Sequence, residues 1–330
     1  MPVQSRDLVI DRTDGASSVR RPDVVAVEEP LEIQVSSADA RGAAAKSVSI
    51  TMRTPGHDAE LATGFLFTEG IISSPGDVVA VTPVGEPVND AGLRNTIRVE
   101  LSADTVLDLD RLQRHFYTTS SCGVCGKASL DALRVAGAAS LAGNAFRIAP
   151  DHLVALPDAV RENQPVFRET GGLHAAAAFD ADGKIRLVRE DVGRHNATDK
   201  LIGALLAANE VPGEALGIFV SGRASFELMQ KTLVAGIPLL AAVGAPSSLA
   251  VDTALEFGMT LVGFLRDGAF NTYAGGKRIG YIDGDQTRRR KCCRDHQPFR
   301  GEARNAAAGA ARLHGTLRLH CRGSHPADCE

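Results

Sequence analysis

Residues 217–243 read GIFVSGRASFELMQKTLVAGIPLLAAV. The short apolar run Gly217–Val220 predicts a buried strand. Apolar residues at helical spacing predict a helix over Ser225–Ala235, and a second apolar run predicts a strand over Pro238–Val243. Because strand, helix and strand follow one another through short connections, the two strands are expected to lie parallel in one sheet. This pattern indicates an α/β layered fold.

The same alternation continues on both sides of this stretch. Towards the C-terminus, the sequence predicts a helix over Ser248–Phe257 and a strand over Thr260–Phe264. Towards the N-terminus, it predicts a hairpin of two strands and two further helices: Ala175–Phe179 and Ile185–Arg189, then Asp151–Asn163 and Asn196–Ala208.

The first half of the chain has a different pattern, in which β-branched or alternating runs dominate. Four strands are predicted there: Val24–Val27, Leu31–Val35, Ser47–Met52 and Thr96–Leu101. One helix is expected to begin near Asp58 and to end at Gly70. Two more helices are predicted over residues 104–116 and Ala128–Val135.

These patterns divide the chain of 330 residues into four parts. Residues 1–20 are polar and predict a disordered lead-in. A smaller β-containing domain is predicted over residues 21–145 and an α/β domain over 146–285. Residues 286–330 carry ten Lys/Arg against four Asp/Glu and show no sustained periodicity. They predict a disordered basic tail.

The composition excludes several classes of function. The chain has no Trp and a formal net charge of −4, which argues against binding nucleic acid. No apolar run reaches about 18 residues, so no membrane helix is expected. The polar N-terminus lacks the apolar segment of a secretory signal. We therefore expect a soluble cytoplasmic protein.

Cysteines supply the first candidate site. Residues 1–285 contain a single pair, Cys122 and Cys125, in a loop rich in Ser and Gly. A Cys-X-X-Cys loop can supply two zinc ligands, cycle as a dithiol and disulfide, or carry a persulfide. Zinc needs two more ligands, and no second Cys-X-X-Cys is present. Reactive sulfur chemistry is therefore favoured, with a metal site and a structural role as the alternatives.

Polar loops follow four of the predicted strands and supply the second candidate site. Arg194 and His195 follow one strand, and Ser221-Gly-Arg223 follows another. The third loop is Val243–Ser248, and the fourth is Gly263–Gly275. Carboxyl ends of parallel strands meet at one edge of a sheet, where Arg beside a helix start suits an anionic ligand. Each loop could instead be an ordinary capped turn.

The combination of these motifs resembles the formate dehydrogenase accessory sulfurtransferases, the FdhD/NarQ family. The resemblance extends from about residue 20 to 280, and the order of its segments is specific. The segments are Thr54-Pro-Gly-His57, Gly64-Phe-Leu-Phe-Thr-Glu-Gly70, Ser120-Ser-Cys-Gly-Val-Cys-Gly-Lys127, Thr170-Gly-Gly-Leu-His174, Glu190-Asp-Val-Gly-Arg-His-Asn-Ala-Thr-Asp-Lys200, Ser221-Gly-Arg223, and Gly263-Phe-Leu-Arg266 with Asn271 and Tyr273.

The resemblance implies a three-layer domain similar to the cytidine deaminase fold, preceded by the smaller β-containing domain. It also implies a sulfurtransferase that accepts persulfide sulfur from a cysteine desulfurase and passes it to the bis-molybdopterin guanine dinucleotide cofactor of molybdenum. Formate dehydrogenase then receives the cofactor, and the protein itself forms a homodimer. A tightly bound metal of its own is not expected.

The resemblance also assigns the site residues. Cys122 matches the persulfide carrier, and Cys125 matches its second cysteine, which either resolves the persulfide or steers its release. The cofactor-binding loop maps to Phe264, Leu265, Arg266, Asp267, Gly268 and Ala269. Family loops often carry a second basic residue after the first Arg, and this chain does not. Arg223, Arg194 and His195 are therefore expected to contribute to cofactor binding.

Overall fold

The computed structural model describes residues 3–37, 45–105, 130, 133–134 and 137–280. Its first half contains six strands and one helix among these residues. They are β1 (Ser5–Asp14), β2 (Ser17–Ala26), β3 (Glu29–Ser37), β4 (Lys46–Arg53), α1 (Asp58–Thr68), β5 (Val78–Val84) and β6 (Thr96–Leu101).

The second half alternates helices and strands, as the sequence predicts. Its elements are α2 (Pro150–Glu162), α3 (Pro165–Thr170), β7 (His174–Phe179), β8 (Ile185–Asp191), α4 (Arg194–Ala207), β9 (Gly217–Val220), α5 (Phe226–Val234), β10 (Leu239–Ala242), α6 (Ser248–Glu256), β11 (Thr260–Arg266) and β12 (Ala269–Ala274).

Strands of the second half form one six-stranded sheet in the order β12-β11-β10-β9-β7-β8. Strands β9, β10 and β11 run parallel, which confirms the arrangement predicted from residues 217–243. All four residues of β9 and of β10 are buried. Strands with two buried faces must be apolar throughout, which explains why these runs do not alternate.

Helices cover both faces of this sheet. One apolar cluster contains Phe219, Ala241 and Val262 together with Leu153 and Leu156 of α2. The other cluster combines the alternate strand residues with the buried sides of α4, α5 and α6. The α/β class is therefore confirmed, while the likeness to the cytidine deaminase fold remains a prediction.

A second sheet, in the order β4-β3-β6-β5, packs against the helical layer. Leu31, Ile33 and Val35 alternate along β3 and point into the same cluster as α1 and α4. The described residues up to Gly280 belong to one compact unit. The predicted division near residue 145 therefore does not separate two cores, because α1 of the first half lies directly on α4 of the second.

The prediction of a disordered lead-in over residues 1–20 is wrong. Strands β1 and β2 form an antiparallel hairpin that is paired from Ser5 and Ala26 to Asp14 and Ser17. Most of its side chains are exposed on both faces. The segment therefore lacks the alternation of apolar and polar residues by which a half-buried strand is predicted. Main-chain pairing rather than burial organises this segment.

Several predictions lie outside the described residues. They are the helix over 104–116, most of the helix over Ala128–Val135, the loop with Cys122 and Cys125, and the tail over 286–330.

Candidate functional site

The four predicted loops meet at one edge of the six-stranded sheet. Strand β8 ends at this edge, because Asp191 pairs with His174 and the neighbouring Ala176 pairs with Val220 at the end of β9. Backbone hydrogen bonds join the next loops, from Gly244 N–H to Gly222 O at 2.9 Å and from Phe264 N–H to Gly244 O at 3.1 Å. The loops therefore form one continuous edge.

The loop after β8 is held by a buried ion pair. Nζ of Lys200 lies 2.7 Å from Oδ2 of Asp191, and both side chains have zero exposure. Asp191 also accepts hydrogen bonds from the N–H groups of Gly193 at 2.8 Å and Thr54 at 3.2 Å. Because its acceptors are used internally, Asp191 fixes the turn that starts α4. This turn determines the positions of Arg194 and His195.

Arg194 is the cation at the centre of the edge. A Cβ placed on Gly222 would lie 3.7 Å from Cδ of Arg194 and 3.6 Å from the ring of His174. Nε of Arg194 is buried and has no hydrogen-bond partner among the described residues. A buried polar nitrogen without a partner is costly, so a ligand atom at this place would be stabilising.

His195 follows Arg194 but differs from it in charge. Its Nε2 lies 3.4 Å from Oγ of Ser225 and 3.9 Å from Oε2 of Glu227. Burial, followed by the positive charges of Arg194 and Lys231, lowers the pKa of His195 to about 4. The imidazole is therefore neutral near pH 7. It can donate or accept a hydrogen bond, but it does not act as the cation that the sequence suggested.

The predicted cofactor loop is the turn of a β-hairpin between β11 and β12. Arg266 pairs with Ala269, and the two residues between them, Asp267 and Gly268, have φ values of 54° and 74°. Positive φ at both positions is the requirement of a type I′ turn, which Asp-Gly satisfies. The sequence predicts a loop over this segment, whereas the structure has strand β12 there.

Side chains of this hairpin divide between the surface and the core. Phe264 is exposed and has a φ of 53°, which is rare for an aromatic residue. The Arg266 guanidinium lies 5.7 Å from the centre of its ring. Leu265 is an exception to the predicted set, because it is completely buried in the cluster under α2. Its side chain packs in the core and is not available to a ligand.

Three residues at this edge were not singled out from the sequence as site residues. Ser225 and Glu227 lie at the start of α5, near His195. His174 begins β7, and burial together with the charge of Arg194 lowers its pKa below the ordinary value. Only the antiparallel register of β7 against β8 brings His174 to the edge. The family segment Thr170–His174 contains this residue, but its place at the edge depends on strand pairing, which the sequence pattern does not give.

No group of three or more potential metal ligands occurs among the described residues. Within the same part of the chain, no helix is long and apolar enough to cross a bilayer. Cys122 and Cys125 lie outside the described residues, so the geometry does not bear on their assigned role.

Fold and edge together define an α/β protein in which Arg194, Arg223 and Arg266 lie on the loops at the carboxyl ends of the parallel strands. The model of the FdhD/NarQ family matches residues 26–280. The chain therefore belongs to the FdhD/NarQ family.

Curated relatives agree with this assignment. The sulfur carrier protein FdhD of Mycolicibacterium paratuberculosis is 51% identical over 281 residues, which cover 85% of this chain and 100% of the relative. The sulfur carrier protein FdhD of Sulfurisphaera tokodaii is 42% identical and covers 78% of this chain and 92% of its own length.

One solved structure has the same fold. It is a crystal structure described as that of a formate dehydrogenase accessory protein from Desulfotalea psychrophila. Its TM-score is 0.61 at 22% identity, and the match covers 84% of this chain and all of the other.

Proposed function

We propose that this chain is a cytoplasmic sulfurtransferase that delivers sulfur to the molybdenum cofactor used by formate dehydrogenase. A cysteine desulfurase supplies the sulfur as a persulfide, and Cys122 carries it. The acceptor is the bis-molybdopterin guanine dinucleotide form of the cofactor, which binds as a substrate at the sheet edge. Membership of the family and the names of the curated relatives support the sulfur-carrier role.

The unpartnered Nε of Arg194 is the observation that supports an anionic substrate at the edge. Arg194 stands at the start of α4, where the helix dipole also favours negative charge. Arg223 and Arg266 are exposed on the neighbouring loops. Charge-assisted hydrogen bonds from Arg to phosphate are among the strongest in proteins. The dinucleotide phosphates of the proposed acceptor fit this set of donors.

Sulfur transfer to the chain is proposed as a thiolate displacement. The thiolate of Cys122 attacks the terminal sulfur of the donor persulfide, which forms a new S–S bond. The S–S bond of the donor breaks, and the desulfurase leaves with its own thiolate. Cys122 then holds the sulfur as a persulfide. In one form of release, the thiolate of Cys125 attacks Sγ of Cys122, so that a Cys122–Cys125 disulfide forms and the carried sulfur leaves as sulfide for the acceptor. In the other form, an electron pair of the acceptor attacks the terminal sulfur, the S–S bond of the persulfide breaks, Cys122 leaves as a thiolate and Cys125 is unchanged.

Replacing Cys122 with alanine is expected to abolish persulfide loading. The chain would be incubated with a cysteine desulfurase and cysteine, and its intact mass measured before and after treatment with a reductant. The wild type should gain one reducible sulfur, and Cys122→Ala should gain none. Cys321→Ala is the matched control and should load normally. Undiminished loading of the Cys122→Ala chain would contradict the assignment of the carrier.

Replacing Arg194 with alanine is expected to weaken binding of a guanine nucleotide to the edge. GDP is the probe, and titration calorimetry gives its dissociation constant. Losing charge-assisted hydrogen bonds should raise that constant about tenfold or more. The control is Arg186→Ala, because Arg186 is an exposed residue at the opposite end of β8. Equal affinity of both variants would argue against a substrate site at Arg194.

The two experiments also separate the proposal from a chaperone that only binds the cofactor. Such a chaperone would require Arg194 but not Cys122. Activation of formate dehydrogenase that survives in the Cys122→Ala variant and fails in the Arg194→Ala variant would favour the chaperone.

A further inference from the structure

Glu227 is a carboxylate that lies beside the arginines of the sheet edge. It stands in the first turn of α5, and its side chain is 61% exposed. Its Oε2 atom lies 3.9 Å from Nε2 of His195, which follows Arg194 directly in the chain. Because adjacent Cα atoms are about 3.8 Å apart, Arg194 and the carboxylate lie within the length of one nucleotide.

The carboxylate of Glu227 is ionised and has acceptor capacity to spare. Partial burial raises its pKa, but hydrogen bonds from the hydroxyl of Ser225 and from its own N–H group outweigh that effect, so the pKa lies below the ordinary value. Among the described residues, its ion-pair contact is with His195, which is neutral near pH 7. The exposed side of the carboxylate is therefore open to a donor from a ligand.

The contacts of Ser225 assign the donors and acceptors on this side of the edge. An ionised carboxylate only accepts, so the hydroxyl of Ser225 donates its proton to Glu227. The oxygen of Ser225 then accepts from Nε2 of His195, 3.4 Å away. Since the ring is neutral, its other nitrogen, Nδ1, is an acceptor. Glu227 and His195 therefore offer acceptors, whereas Arg194 offers donors.

A ligand that fits both groups has an anion at one end and hydrogen-bond donors at the other. Phosphate oxygens accept from arginine. Guanine carries two neighbouring donors, N1–H and the 2-amino group, which match the two oxygens of a carboxylate. Adenine has an unprotonated N1 at the corresponding place, and its lone pair would face the negative charge. The arrangement therefore favours a guanine nucleotide over an adenine nucleotide.

We infer that Glu227 determines the base specificity of the edge, by accepting hydrogen bonds from N1–H and the 2-amino group of a guanine whose phosphates bind at Arg194. The inference rests on the proposed function, because this guanine belongs to the dinucleotide that the edge is proposed to hold. A site that pairs with a particular donor rejects an analogue without it, because an acceptor of the site is then left unpaired.

A purely structural role for Glu227 makes a different prediction. Ser225 is the N-cap of α5, and a negative charge in the first turn stabilises a helix through its dipole. That role depends on the charge and not on the reach of the side chain. Loss of a structural charge would weaken all ligands alike, whereas loss of base recognition is confined to guanine.

Three probes in titration calorimetry of the full chain separate the base from the phosphates. They are GDP, inosine diphosphate, which lacks only the 2-amino group, and inorganic pyrophosphate. The wild type should bind GDP about tenfold more tightly than inosine diphosphate. Glu227→Gln should weaken GDP binding about tenfold or more and reduce this preference to about twofold or less, because an amide donor replaces one acceptor. Affinity for pyrophosphate should stay unchanged.

Two further variants are the controls. Glu227→Asp keeps the charge in the first turn of α5 but shortens the side chain by one methylene. It should therefore not restore the preference for GDP, and full restoration would indicate the structural role and overturn the inference. Glu210→Gln removes an exposed carboxylate that lies 3.6 Å from Arg186 at the opposite end of β8, and it should change none of the three affinities.

The inference and the proposed function can fail separately. Arg194→Ala should weaken binding of all three probes and leave the ratio between GDP and inosine diphosphate unchanged. If GDP binding depends on Arg194 but the wild type binds inosine diphosphate equally well, or Glu227→Gln keeps the preference, the inference is overturned and the substrate site of the proposed function stands. A wild-type chain that binds neither GDP nor pyrophosphate would overturn both.

Discussion

Replacing Gly203 with alanine is expected to destabilise the chain by about 3 kcal/mol, because helices α1 and α4 cross at this residue. A Cβ on Gly203 would overlap the carbonyl group of Glu60 and would lie 2.9 Å from the backbone nitrogen of Gly64. The atoms in the way belong to the backbone of α1, so the helices would have to separate. By helix propensity alone, alanine would stabilise the helix interior by about 1 kcal/mol relative to glycine. A loss of stability would therefore indicate close contact between the two helices.

Urea unfolding of the full chain measures this effect, with Gly143→Ala as the control. No atom lies within 4 Å of a Cβ built on Gly143, and its φ is not positive. This variant should stay within about 0.5 kcal/mol of the wild type. Gly64→Ala should behave like Gly203→Ala, because a Cβ there would overlap the carbonyl group of Asp199 on α4. A Gly203→Ala chain as stable as the control would show that the helices do not cross this closely.

Replacing Asp191 with asparagine is expected to destabilise the chain by about 3–5 kcal/mol. The change keeps the size of the side chain but leaves the ammonium group of Lys200 buried without its counter-charge. Oδ2 of Asp191 also holds Thr54 N–H of the first half of the chain at 3.2 Å. Since the same carboxylate fixes the turn before Arg194, affinity for GDP should fall together with stability.

Two further variants test whether loss of the buried ion pair causes this destabilisation. Glu210→Gln removes one partner of an exposed ion pair, Arg186–Glu210 at 3.6 Å, and should cost less than about 1 kcal/mol. The double variant Asp191→Asn, Lys200→Met removes both buried charges and should be less destabilised than the sum of its single variants. Additive effects would show that the two side chains are not coupled.

Elements with a strong local apolar signal were predicted well from the sequence. Strands β9, β10 and β11 are short, apolar and separated by helices, and each lies within two residues of its predicted bounds. A strand that is buried on both faces of its sheet is recognisable in the sequence, because every position must be apolar. The positions of the polar loops at the strand ends followed from the same pattern.

Elements whose stability depends on pairing were missed. The hairpin of β1 and β2 exposes most of its side chains and buries none completely, and β12 is half exposed. The Asp267-Gly268 turn was a local signal for the second hairpin, but the polar residues around it favoured a loop. Strand β5 was also not predicted. It contains Pro83, which is untypical of strands in general but is tolerated at the edge of a sheet, where β5 lies.

The sequence by itself determined the α/β class, the polar strand ends and the motifs that carry the family resemblance, because each of these depends on residues close together in the chain. Only the tertiary structure decided which of the motif residues hold the fold together. Thr54 and Asp191 are 137 residues apart in the sequence, yet Thr54 N–H donates a hydrogen bond to the buried carboxylate of Asp191. This contact joins the two halves of the chain. His195 is neutral because burial, followed by the positive charges of Arg194 and Lys231, lowers its pKa to about 4. Leu265 is buried because it packs in the apolar cluster that contains Leu153 and Leu156 of α2. Burial and long-range electrostatics arise from the packing of distant segments, which no local pattern records.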